Sequence, residues 1–245
     1  MTNIMVCLLA FSSKKKGNLY LDYAIKLIQK IQSESNLQIT LMTDNREYFK
    51  NKLVHIIECF EPSYTKKIDV CKVAIKYGYT AVYVDVDTTL DFKLLEKTTF
   101  GDGFHYWWWW KTELRNYNHL KNKSYFKNIE EYCISNELKI EDAPLIHEGF
   151  FIIKKSNDIE NFFRIYDELS PIAVENDIKR GNSPTGRGEG LLIGIALINS
   201  EFKNNGCSEE ILLLGHKLSQ DKSPELKHLR NTITDPNLLD KKTFI

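Results

Sequence analysis

The sequence predicts an α/β protein: one domain of 245 residues built on a mostly parallel, nucleotide-binding type of sheet flanked by helices. Three observations predict it. Apolar runs alternate with amphipathic segments through residues 1–90, the order that yields parallel strands joined by crossover helices. One run, Ala81-Val82-Tyr83-Val84, is apolar at consecutive positions, as a strand covered on both faces requires. It ends in Asp85-Val86-Asp87, and the carboxyl end of such a strand is where open α/β sheets hold ligands.

Taken in order, Ile4–Ala10 is the first strand, followed by a polar, basic loop from Ser12 to Gly17. A helix begins at Leu19 and sets Ala24, Leu27, Ile28 and Ile31 on one face. Gln38–Met42 is a second strand ending in Thr43-Asp44-Asn45, and His55–Cys59 is a third. Tyr64–Tyr77 is amphipathic and stops at Gly78, just before the Asp-bearing strand. Beyond Leu90 an aromatic segment, Phe104–Trp110, holds all four tryptophans of the chain. Ile129–Leu138 reads as a helix, and His147-Glu148-Gly149 introduces a strand at Phe150–Ile153. The next helix, Ile159–Leu169, is expected to stop before Pro171. A glycine-rich loop, Gly181–Gly190, enters an apolar helix at Leu191–Ile198, and Ile211–Leu214 is expected as a last strand before a polar tail. No internal repeat or linker divides the chain.

Composition narrows the function. With 42 % hydrophobic and 27 % charged residues, the chain has the makeup of a globular domain. Lys and Arg (33) balance Asp and Glu (33), which argues against a nucleic-acid surface and makes any anion site local. No apolar run reaches the roughly 20 residues of a membrane span, and Met1–Phe11 lacks the basic start and cleavage site of a secretory signal. The expected location is cytoplasmic. The five cysteines are scattered with no C-x-x-C pair, which disfavours a disulfide framework or zinc site; Cys7 and Cys59 are expected as buried thiols.

Two carboxylates one residue apart repel unless a cation lies between them. A hard divalent metal bridging phosphate oxygens meets that need. Read alone, the same pair is equally a strand end whose Asp side chains cap the next turn. The order of elements and Tyr83-Val84-Asp85-Val86-Asp87 resemble the GT-A fold of sugar-nucleotide-dependent glycosyltransferases. The nearest groups are two retaining families, family 8 (glycogenin-like, galactosyltransferase-like) and family 6 (blood-group-transferase-like). The overlap runs from about Ile4 to His216, and only the D-x-D region is close residue by residue. The resemblance implies Mn²⁺ or Mg²⁺ on Asp85 and Asp87, a nucleotide-sugar donor that is UDP-linked by family habit, and a glycan or other hydroxyl acceptor. It divides the chain into a nucleotide-binding half (1–90), an acceptor and catalytic half (91–220) and a tail (221–245). Ser12 and Asp44, at neighbouring strand ends, then fall at the nucleotide.

Further segments extend the resemblance. Tyr64-Thr65-Lys66-Lys67 matches a helix start where family 8 members direct a basic residue at the donor; alternatively Lys67 is a solvated lysine in a first turn, although the helix dipole disfavours it there. Leu214-Gly215-His216-Lys217 resembles the family 8 His-x-x-Gly-x-x-Lys segment, which implies His216 as third metal ligand and Lys217 or Lys222 at the diphosphate. The spacing departs from that pattern because Gly215 precedes His216. Gly188-Glu189-Gly190 falls where both families carry an acid or amide under the reacting sugar carbon, making Glu189 the catalytic candidate; its plain alternative is a favourable acid at a helix N-terminus. His147 and Glu148 fall beside the donor sugar. Trp107 and Trp109 are candidates to stack on an acceptor sugar, with core packing or a protein interface as the equal alternative for two of the four tryptophans. Two rival readings stay open. Asp85–Leu90 also spells the D-x-D-x-T-L of haloacid-dehalogenase-type phosphatases, with Asp85 as nucleophile and Asp87 as acid/base, although three strands precede it and the required downstream lysine and paired acids are hard to find, since Gly101-Asp102-Gly103 comes too soon. The other is a non-catalytic carbohydrate-binding relative.

Overall fold

Seven consecutive apolar residues leave no polar face, so β1 (Ile4–Ala10) is buried along its whole length and becomes an inner strand. The computed structural model describes residues 3–12, 17–88, 90–108, 127–179, 188–211 and 214. After β1 come α1 (Leu19–Glu34), β2 (Gln38–Thr43), β3 (His55–Glu58), α2 (Lys66–Lys76), β4 (Thr80–Val84) and α3 (Phe92–Lys97). They are followed by β5 (Gly103–Trp108), α4 (Lys127–Ser135), β6 (Ile146–Lys154), α5 (Ile159–Lys179), α6 (Glu189–Ser200) and β7 (Asn204–Gly206). The strands form one sheet in the order β3-β2-β1-β4-β6-β5-β7, with helices on both faces. This is the mixed α/β domain that the alternation of elements predicts.

β3, β2, β1 and β4 are parallel, whereas β6 runs antiparallel to both β4 and β5. The D-x-D strand is therefore parallel to its neighbour on one side only. Because β6 is reversed, its amino end lies at the same sheet edge as the carboxyl ends of β1, β2 and β4. Residues from both halves of the chain thus meet at one edge.

Alternation along β4 divides the core into two layers. Ala81 and Tyr83 join α2, α4, α5 and α6 on one face, while Val82 and Val84 join α1 and α3 on the other. The stripe Leu21, Ala24, Leu27, Ile28 and Ile31 is the buried face of α1, as its spacing predicts. α2 ends where Gly78 takes φ +82° and donates its N–H to Ile75 O, a left-handed stop that costs glycine nothing. α6 is buried nearly all round, with Leu191, Leu192, Ile193, Ile195, Ala196 and Leu197 inside. Cys7, Cys59, Cys71 and Cys133 are buried thiols.

The fold corrects four local expectations. α5 continues through Pro171, because burial of Phe162, Ile165, Tyr166, Leu169 and Ala173 along it outweighs the hydrogen bond that proline forfeits. Residues 209–211 and 214 are helical rather than a strand. Ile211 and Leu214 are both buried, a spacing of three that suits a helix face, and so short an apolar run does not distinguish the two by itself. His147-Glu148-Gly149 belongs to β6 rather than to a loop before it. Trp107 is 5 % exposed and packs in the layer with α1 and α3, which removes it from stacking on an acceptor. Among the described residues, no helix is long and apolar enough to cross a membrane.

Candidate active site

Tyr83 and Asp85 stand two residues apart at the end of β4, so both side chains leave the same side of the sheet. The Tyr83 hydroxyl donates to Asp85 Oδ1 at 2.6 Å. Asp85 N–H donates to Gly149 O at 2.9 Å, tying the strand end to β6, and Thr88 N–H returns to Asp85 O at 2.8 Å. The D-x-D segment is thus a closed turn, with Asp85 and Asp87 partly exposed on it.

Lys67, in the first turn of α2, is the centre of the arrangement. Its Nζ lies 3.1 Å from Asp85 Oδ1 and 3.1 Å from Glu189 Oε1, and donates to the backbone oxygen of Glu148 at 3.1 Å. An ammonium has three N–H donors, and here each has a protein acceptor. The Tyr83 and Tyr64 rings flank it, with centroids 5.3 and 5.8 Å from Nζ. The Lys67 and Glu189 side chains are 5 % and 8 % exposed, and that of Asp85 is 32 % exposed. Asp85 is the side of the cluster that faces solvent.

Two glycines admit this crowding. A Cβ on Gly149 would lie 3.3 Å from Asp85 Oδ2, and one on Gly190 would lie 3.0 Å from Glu148 Oε1 and 2.2 Å from Ile146 O. Hence β6 and the start of α6 approach more closely than larger residues permit.

One ammonium serves three carboxyl groups, and the titration of the cluster reflects that imbalance. Burial works against the Lys67 charge, but Asp85, Glu189 and Glu148 together hold it above the ordinary lysine range. Burial and then the neighbouring Glu189 push the Glu148 carboxyl up to about 8, with Lys67 pulling the other way. Burial and then Asp85 raise the Tyr83 hydroxyl well above its usual range, so it serves as a donor.

At the neighbouring strand ends, Ser12 N–H donates to Asp44 at 3.0 and 3.2 Å, and the Ser12 hydroxyl also bonds Asp44 Oδ2. The two nucleotide candidates are therefore paired with each other. His147 is buried, and its Nδ1 accepts from Gly149 N–H at 3.2 Å within β6. His216, Lys217, Lys222, Trp109 and Trp110 lie outside the described residues, as does most of the glycine-rich loop. Two contributors, Tyr83 and Tyr64, escape the sequence reading; the i, i+2 relation of Tyr83 to Asp85 was the available signal.

Asp85 and Asp87 supply hard oxygens of the kind a divalent cation takes. Asp85 Oδ2 is the freer of its two oxygens, with Lys67 Nζ at 3.4 Å, and the adjacent Thr88 Oγ1 is buried with no hydrogen-bond partner among the described residues. Among those residues no group of three or more His, Cys, Asp or Glu side chains is placed to hold a metal ion.

No family model and no curated protein matches the sequence. Among solved structures, the chain is similar to the galactosyltransferase LgtC in complex with donor and acceptor sugar analogues (TM-score 0.41, 14 % identity, 83 % of this chain and 72 % of that one). It is also similar to mouse xyloside xylosyltransferase 1 in its apo form (TM-score 0.40, 10 % identity, 82 % of this chain and 84 % of that one). Likeness at this level says nothing of individual residues.

Proposed function

We propose that this protein is a metal-dependent glycosyltransferase that moves a sugar from a nucleotide-sugar donor, a UDP-sugar, to a glycan or other hydroxyl acceptor with retention at the anomeric carbon. The observation that carries the reading is that Glu189, from a helix late in the chain, and Asp85, at the end of β4, share one buried ammonium. A diphosphate-binding edge and a buried carboxylate thereby sit side by side. The two together suit transfer of a glycosyl group from a diphosphate. Asp85 and Asp87 would hold Mn²⁺ or Mg²⁺, whose charge offsets that of the departing diphosphate. Ser12 and Asp44 flank the nucleotide, and Glu148 hydrogen-bonds donor hydroxyls. Glu189 faces the anomeric carbon, where a carboxylate gains most as positive charge develops, so its contribution belongs to the transition state.

The test is a set of binding and turnover measurements with UDP-sugars and Mn²⁺. Binding should raise the melting temperature only with both present, since a ligand of the folded state stabilises it by mass action. Asp87→Ala should stay folded and lose Mn²⁺-dependent UDP binding. Glu189→Gln should keep donor affinity and lose roughly 10²-fold or more in kcat. Unchanged UDP affinity in Asp87→Ala overturns the metal assignment. Phosphomonoester hydrolysis with no sugar transfer returns the phosphatase reading.

A further inference from the structure

Resting on the glycosyltransferase reading, we propose that Lys67 is a positioning residue that sets Glu189 against Asp85, and not a ligand of the donor. Its three N–H groups already have acceptors on three different elements, at 3.1 Å each: Asp85 beyond β4, Glu189 in α6 and the Glu148 carbonyl in β6. The Tyr83 and Tyr64 rings close its flanks, and only 5 % of the side chain reaches solvent. A diphosphate oxygen could reach Nζ only by displacing one of these contacts. The lysine stands at the point where β4, β6 and α6 converge and supplies the positive charge that lets their acids coexist. Without it, the nearly buried Glu189 would face Asp85 as a like charge in a low-dielectric setting and would swing away or take up a proton. The separation between the metal-facing acid and the sugar-facing acid is thus fixed by one side chain. A shift of about 1 Å at such a site is enough to cost about 10²-fold in rate.

The experiment compares Lys67→Met, Lys67→Arg and the double variant Lys67→Met with Glu189→Gln, measuring melting temperature without ligands and kcat and donor KM with UDP-sugar and Mn²⁺. Lys67→Met should lower kcat about 10²-fold while donor KM stays within about twofold. Lys67→Arg, which restores a cation in a different shape, should recover at least about tenfold of that loss. Lys67→Met should also melt below the parent, and adding Glu189→Gln should return part of the loss because the stranded carboxylate is gone. If Lys67→Met fails to fold while the double variant folds, the coupling is shown in its strongest form; if neither folds, the kcat and KM of Lys67→Arg decide. Donor KM raised tenfold or more at unchanged kcat makes Lys67 a donor ligand and overturns the proposal, as does a double variant no more stable than Lys67→Met. A parent protein that transfers no sugar refutes the enzymatic reading alone, since the ligand-free melting comparison still decides whether Lys67 and Glu189 are coupled.

Discussion

Glu148 is the side chain on which the charge imbalance of the cluster falls. Its carboxyl titrates at about 8 in the fold against an ordinary 4.5, so between those values the folded chain keeps a proton that the unfolded chain has released. Stability from this group is therefore fully present below about 4.5 and is lost as the pH rises through about 8. Glu148→Gln cannot ionise, so its melting temperature relative to the parent should climb between pH 5 and pH 8. The buried His105, whose affinity for a proton is lowered by burial, titrates alike in both proteins and cancels. A difference that stays flat across that range would mean Glu148 is ionised throughout. At this scale much was legible: Lys67, Asp85, Glu148 and Glu189 are each charged residues at element ends, where a core has no use for them. What residue types could not reveal is pairing. Ser12 with Asp44, Tyr83 with Asp85 and Lys67 with three partners all depend on which strand ends adjoin, and Tyr83 was hidden by being one more β-former in an apolar run.

At the scale of elements, α6 and the start of β6 are held together through two glycines. A Cβ on Gly194 would fall 2.0 Å from Pro144 O, and one on Gly190 would fall 2.2 Å from Ile146 O. Neither position requires a left-handed backbone, so the penalty of a methyl group is overlap rather than conformation. Gly194→Ala and Gly190→Ala should each lose about 1–3 kcal/mol in urea unfolding. Only Gly190→Ala should also lose turnover at a temperature where both are folded, because residue 190 adjoins Glu189 and touches the space of Glu148. Equal kcat in the two variants would detach the helix start from the chemistry. Elements up to β4 were legible because β-branched runs and helical stripes are long there. Later ones were less so: α3 has six residues and β7 three, too few for a period to show. α5 passes Pro171 on the strength of tertiary burial, which local propensity does not contain.

Across the whole molecule, two apolar layers clamp one sheet, and Trp107 shows how a residue suited to a ligand platform is claimed by one of them. Trp107→Ala should cost about 3–5 kcal/mol of stability and leave the acceptor KM unaltered, measured by urea unfolding and by initial rates; a raised acceptor KM with little loss of stability would restore the stacking role. The mixed direction of the sheet was not legible, since alternation of strands and helices speaks for parallel pairing and says nothing of a strand inserted backwards. That insertion bears on how the chain is made. β4 and β5 are neighbours in sequence but not in the sheet, because β6 slots between them. Until residues 146–154 have left the ribosome, β4 is the open border of a four-stranded parallel unit, apolar on both faces and able to pair with the same strand of another nascent chain. The strand that seals this border also delivers Glu148, whose carbonyl meets Lys67 across 81 residues of sequence. Docking β6 therefore seals the border and also brings Glu148 to Lys67, leaving Glu189 of α6 to complete the acid cluster, so a chain that displays the cluster has already passed its most association-prone stage.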